Sequence, residues 1–200
     1  MNTFEAIRLA TREYLKLSDW LTYEHHGSVM EISREIAMGV ATHYGLSNKQ
    51  VYLISSYSAF HDIGKVAIPQ GILIKPLPLT AEEKTLIRTH SARGAELIDN
   101  IVQEIGAEQI ADVDMLRNVV FQHHERLDGS GYPLGLKGDE ISIEARIVMV
   151  ADAYDAMISE RPYQRASSHE WAMSELREEV RLGKMCGVCV DALEQHYGKG

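Results

Sequence analysis

Histidines and aspartates recur in this chain at positions where they could share a metal ion. His61 and Asp62 stand together just before Gly64, His90 follows, His123 and His124 are adjacent, and Asp152 sits in ADAYDAM. Taken singly, a helical histidine is most simply a surface or hydrogen-bonded residue. Asp152 is harder to set aside. Ile147, Val148, Met149, Val150 and Ala151 before it make a helix that reads as buried. A buried carboxylate without a partner is costly, so it should be paired or metal-bound. His123 and His124 pose a geometric difficulty. Neighbouring helical residues point about 100° apart, so both reach one ion only over the seam between them or where the helix is distorted. As a set, imidazoles and carboxylates without thiolate suit Fe, Mn, Zn or Ni better than Cu(I) or Ca. Asp62, beside His61, is the natural bridge between two such ions. Two ions about 3.5–4 Å apart can activate a water and clamp a phosphoryl group. A phosphodiester repels nucleophiles, and that arrangement would neutralise its charge.

Helical periodicity dominates the elements that must position these residues. It predicts helices over about 3–17, 22–44, 48–62, 81–105 with a break near 90, 112–126, 142–160, 168–182 and 186–197. Ser47 with Gln50, Thr80 with Glu83, and Ser167 with Glu170 fit the capping box that starts a helix. No segment shows the sustained alternation of a strand. Residues 64–79 and 128–141, rich in glycine and proline, read as two long loops, and loops of that length are often functional. The expectation is one all-α domain, a single helical bundle with both loops over one face. Within it, 1–24 form a lead helix, 25–165 the core and 166–200 the closing helices.

Composition narrows the function further. The formal charge is −9, which disfavours a DNA or RNA duplex as partner, since such proteins carry a basic footprint. It leaves a small phosphate ester open, because bound cations can dominate a local field. No apolar run approaches the ~18 residues of a membrane span, and the N-terminus lacks the order of a signal peptide, so a cytoplasmic protein is expected. Cys186 and Cys189 form one CxxC with no second pair to complete a zinc site, so they read as small apolar residues on the last helix.

The ordered set of motifs resembles the HD-GYP family of cyclic di-GMP phosphodiesterases, a branch of the HD superfamily. It consists of HDIGK at 61–65, LxKP at 73–76, His90 with Gly94, HHERLDGSGYPLGLKGDEI at 123–141, RIVMVADAYDAM at 146–157 and RPY at 161–163. The resemblance covers about residues 25–165 and implies a helical HD-type bundle with a metal centre. One ion would be held by an N-terminal histidine, His61, Asp62 and Asp152. The other would be held by Asp62, His90, His123 and His124. It also implies that Asp62 and Lys65 serve catalysis, that Lys65 and Arg161 contact substrate, and that Gly131, Tyr132 and Pro133 lie beside the metals. The substrate would be a cyclic dinucleotide, cyclic di-GMP foremost, cut to the linear pGpG or to GMP. The cofactors would be two divalent ions, Fe or Mn foremost, then Zn or Ni. A separate regulatory protein or a homodimer would be the further partners.

The departures from the family pattern are specific. The N-terminal ligand is either His25 or His26; His25 with Val29 fits the family spacing, and His26 with Met30 fits almost as well. Leu21 and Thr22, four residues before these histidines, offer no carboxylate, which favours two metals over three and leaves a third ion on water and Asp155 as the alternative. Gln164 stands where the family commonly has lysine, which removes one positive charge. A non-catalytic cyclic-dinucleotide sensor and a phosphohydrolase for another nucleotide are the competing readings.

Overall fold

The computed structural model describes residues 20–76, 78–105, 112–160 and 166–198. Among them are nine α-helices: α1 (Trp20–Tyr44), α2 (Asn48–Ser58), α3 (Gln70–Leu73), α4 (Ala81–Arg88), α5 (His90–Ile105), α6 (Val113–Gln122), α7 (Ile143–Ile158), α8 (His169–Arg181) and α9 (Gly187–Tyr197). Two 3-10 turns, Ile63–Ala67 and Gly138–Glu140, complete the regular structure. The described residues contain no strand, only an isolated antiparallel bridge between Asp128 and Lys137. The all-α expectation therefore holds. The lead helix expected at 3–17 lies outside the described residues.

Local chemistry explains most helix starts. Ser47 and Thr80 each accept from the backbone N–H three residues on, and Gln50 and Glu83 return a bond to the cap backbone, completing both expected capping boxes. The third box is corrected. The cap of α8 is Ser168, whose side chain accepts from Trp171 N, and not Ser167. Ser142 caps α7 in the same way.

α7 runs through the centre of the molecule. Ile147, Val148, Met149, Val150 and Ala151 are all buried, so the helix is covered on every side rather than along one stripe. α1 packs across α2, α7 and α9, while α6 bridges α2, α5 and α7. One continuous apolar cluster joins these helices, including Ile36 of α1, Tyr57 of α2, Ile98 of α5, Leu116 of α6 and Leu193 of α9. Cys186 caps α9 and Cys189 lies on it; both are free thiols buried in this cluster, as their apolar setting suggested. No described helix is long and apolar enough to cross a membrane.

Three boundaries differ from the periodic pattern, and each bears on the site. α2 ends at Ser58 rather than running to 62. α6 ends at Gln122 rather than 126. Within the expected loop 64–79, residues Gln70–Leu73 make one helical turn.

Candidate metal centre

The early end of α2 puts His61 and Asp62 in a turn between that helix and the 3-10 segment, not on a helix face. Asp62 has φ −97° and ψ 9°, the sparsely used bridge region where many active-site residues sit. Gly64 then lets this turn approach the start of α5. A Cβ on Gly64 would lie 1.9 Å from the His90 carbonyl oxygen and 2.5 Å from Gly94 N, so only glycine fits. The short α6 removes the angular difficulty of the histidine doublet. His123 is the C-cap residue and His124 follows the helix, so their rings can face one region, with centroids 4.1 Å apart.

Hydrogen bonds fix how the imidazoles present themselves. His61 Nδ1 lies 2.7 Å from Ser58 O and His90 Nδ1 2.8 Å from Ile87 O, while His123 Nδ1 lies 3.0 Å from Val120 O. A carbonyl only accepts, so each Nδ1 donates, and each neutral ring then offers an Nε2 lone pair. Those lone pairs converge. His90 Nε2 is 3.4 Å from His123 Nε2 and 3.2 Å from Asp62 Oδ1, and His61 Nε2 is 3.4 Å from Asp62 Oδ2. Asp62 Oδ1 is buried without a hydrogen-bond donor. Acceptors facing acceptors in a buried site call for a cation among them, so these residues fit a metal centre.

The ligand atoms fall into two groups that share one residue. Those of Asp62, His90, His123 and His124 lie within 4.8 Å of one another, as do those of His25, His61 and Asp62. Asp152 Oδ1 adjoins the second group, 3.3 Å from His25 Nε2 and 3.7 Å from His61 Nε2. The structure thus brings together every ligand expected from the sequence whose side chain it describes. His25 is at the site, whereas the side chain of His26 and the whole of Arg161 and Gln164 lie outside the described residues.

Electrostatics favour the ligating protonation state at Asp62, Asp152, His123 and His124, and oppose it at His25. Burial would raise the Asp62 carboxyl, but the Lys65 ammonium and His61 hold it well below the ordinary carboxylate range. Burial would raise Asp152 too, but the hydrogen bond from His25 together with the His61 and His124 imidazoles pushes it down. Burial pushes His123 well down, helped by the neighbouring imidazoles, and it lowers His124 to about 3. Burial opposes charge on His25 too, but its hydrogen bonds to Asp152 and Asp155 outweigh that and raise it to about 9. Neutral His123 and His124 beside ionised Asp62 and Asp152 are the kind of donor set a divalent cation needs, whereas His25 would release a proton on binding one. Lys65 pairs directly with Asp62, so its ammonium already sits at the edge of the centre.

Two further residues surround the ligands: Asp155, which the sequence offered only as an alternative third-ion ligand, and Glu125, which no sequence signal marked as functional. Asp155, fully buried, hydrogen-bonds to His25 Nδ1 and accepts from the Ser159 hydroxyl at 3.1 Å. It does for His25 what carbonyls do for His61, His90 and His123. Glu125, also fully buried, accepts from Leu134 N at 2.7 Å and Leu136 N at 3.0 Å. It thereby ties down the loop that holds Gly131, Tyr132 and Pro133. Tyr132 stacks on His124 with ring centroids 4.7 Å apart, and the exposed Arg88 guanidinium lies 5.2 Å over the Tyr132 ring. The Asp155 signal was readable as the i+3 neighbour of Asp152; Glu125 was hidden inside the long 123–141 motif.

Known proteins place the chain in a family. A family model described as HD domain matches residues 14–184. The response regulator RpfG of Xanthomonas campestris, a cyclic di-GMP phosphodiesterase, is 38% identical over 181 residues, covering 89% of this chain and 46% of that protein. A cyclic di-GMP phosphodiesterase of Thermotoga maritima is 38% identical over 161 residues, 79% of this chain and 40% of that one. A 3'3'-cGAMP-specific phosphodiesterase of Vibrio cholerae is 33% identical over 192 residues, 91% of this chain and 34% of that one. The chain spans less than half the length of these relatives. Among solved structures, Bd1817 of Bdellovibrio bacteriovorus, an HDG"Y"P protein, superposes with a TM-score of 0.63 at 22% identity, covering 87% of this chain and 51% of that one. The chain belongs to the HD domain family, in its HD-GYP branch.

Proposed function

We propose that this chain is the catalytic module of a metal-dependent phosphodiesterase that hydrolyses a cyclic dinucleotide, cyclic di-GMP foremost, to linear pGpG or GMP. The observation that carries the reading is the pair of ligand groups joined at Asp62. A single-ion site needs no shared carboxylate, whereas in-line displacement at a phosphodiester uses two positions side by side. Two divalent cations there, Fe or Mn foremost and Zn or Ni next, would neutralise the phosphodiester and lower the pKa of the attacking water.

The chain's own residues supply the remainder. His25, His61 and Asp152 would hold one cation; His90, His123 and His124 would hold the other, with Asp62 common to both. Lys65 is paired with Asp62 and about a third exposed. It would meet a phosphate oxygen and help to stabilise charge that grows on it, electrostatic stabilisation being usually the largest contribution in such catalysis. The loop of Gly131, Tyr132 and Pro133 borders the centre through the Tyr132–His124 stack. Arg88 over Tyr132 adds a positive charge at this rim, which an acidic chain needs to attract an anionic substrate. Arg161 remains a candidate substrate contact from its motif alone.

The test is chromatography of reaction mixtures containing metal-replete protein with cyclic di-GMP, a mixed cyclic GMP-AMP, or a linear dinucleotide. The expected result is a linear product from a cyclic dinucleotide with Mn or Fe and none after chelation. Binding without any product would point instead to a sensor, and turnover of the linear substrate alone to a phosphohydrolase of another nucleotide.

A further inference from the structure

The imidazoles at the centre are not all held in the same way. His61, His90 and His123 are locked by Nδ1 bonds to backbone carbonyls, and His25 by Asp155. Among the described residues, no hydrogen bond fixes the His124 ring. Its ring contacts are the stacked Tyr132, with an interplanar angle of 30°, and the neighbouring ligand rings of His123 and His90 at 4.1 and 5.0 Å between centroids. Tyr132 in turn sits on a loop that would be free at its tip without three ties. Tyr132 N donates to His124 O at 3.1 Å. The two Glu125 carboxylate oxygens take Leu134 N and Leu136 N, one each. Gly131 is pressed on the Glu125 backbone so closely that a Cβ there would lie 2.4 Å from Glu125 Cα.

We propose that Glu125 is a positioning residue of the metal centre: by holding the returning half of the 128–137 loop, it seats Tyr132 against His124 and gives that ring its ligating orientation. This deepens the proposed function and rests on it. The physical argument is one of ordering. A ligand ring that can swing must be immobilised when metal binds, and outer contacts that orient ligands are worth about 10–100-fold in affinity. The backbone does this for the other histidines of the same ligand group. For His124, Tyr132 is the described ring contact that comes from outside the ligand group itself, and Glu125 holds the loop that carries it. A carboxylate suits the task because both of its oxygens accept. Glutamine would replace one acceptor with an N–H2 facing a backbone N–H, losing one bond and opposing two donors.

The inference predicts an effect on one metal position and not the other. Metal-free protein is titrated with Co(II), followed by calorimetry and by the visible absorption of the bound ion. The proteins compared are wild type, Glu125→Gln, Tyr132→Ala and Tyr132→Phe, each checked by circular dichroism and thermal melting. Wild type should take up two ions. Tyr132→Ala and Glu125→Gln should weaken one of the two by about 10–100-fold and leave the other unchanged. Tyr132→Phe, which keeps the stacked ring, should bind both as wild type does. Folded Glu125→Gln or Tyr132→Ala protein that binds both ions with wild-type affinity overturns the assignment, as does equal weakening of both positions. If Glu125→Gln fails to fold, Glu125→Asp, whose carboxylate falls one methylene short of Leu134 N and Leu136 N, takes its place and is read in the same way. Wild type that takes up no metal sinks the metal-centre reading itself, which separates the two failures.

Discussion

Asp62→Asn keeps the shape of the side chain and removes its charge, so its effects isolate the electrostatic role of the shared ligand. Asp62 is common to both ligand groups, with His90 Nε2 3.2 Å from one oxygen and His61 Nε2 3.4 Å from the other. An amide has one acceptor oxygen and cannot bridge two cations. Both positions therefore weaken, and with them the charge stabilisation of the transition state. Losing about 4 kcal/mol of that stabilisation, a modest share of what metal sites supply, lowers kcat/KM about a thousandfold. The fold should survive. Lys65 loses its partner but is 34% exposed, so its ammonium can turn to water, at a cost of about 1 kcal/mol or less. The assay is initial-rate hydrolysis of cyclic di-GMP with Mn present, beside metal content by mass spectrometry and a thermal melt. A folded Asp62→Asn protein with two bound ions and a rate within tenfold of wild type would refute the reasoning.

Other substitutions test the surrounding shell. Asp155→Ala frees His25 Nδ1, and calorimetric titration should show about 10–100-fold weaker binding at the position that includes His25. Gly64→Ala sets a Cβ against the His90 carbonyl, where backbone must move, and urea unfolding should report a loss of roughly 2–3 kcal/mol. The His25 imidazole, raised to about 9 from 6.5, stabilises the chelated protein through its charged pairs with Asp152 and Asp155. That contribution is fully present below pH 6.5 and is lost as pH rises through about 9. Compared with His25→Gln, chelated wild type should therefore be on the order of 3 kcal/mol more stable at pH 6, with the gap closing by pH 10.

The all-α architecture was legible because apolar residues recur at helical spacing over long stretches, and two of three capping boxes marked helix starts to the residue. The third failed at Ser167, where Glu170 completes the sequence pattern but the adjacent Ser168 caps the helix by accepting from Trp171 N. Helix ends were less legible. Ser58 and Gln122 end α2 and α6 because the chain turns to bring His61–Asp62 and His123–His124 inward, and neither place carries a glycine or proline stop signal. The candidate ligand set was readable from motif order, and Asp152 also from chemistry, since a carboxylate amid apolar neighbours needed a partner. Glu125 and Asp155 were not assigned these roles, because what they do is defined by what they touch. Leu134 N and Leu136 N are nine and eleven residues from Glu125, and Asp155 meets His25 across 130 residues. No local pattern encodes either contact.

The central claim is that Asp62 joins two cation positions. Anomalous diffraction from crystals of anaerobically purified protein, collected on both sides of the iron and manganese edges, tests it most directly. The account predicts two peaks flanking Asp62, one beside His25, His61 and Asp152 and the other beside His90, His123 and His124. A single peak away from Asp62, or none in metal-replete crystals, would contradict it.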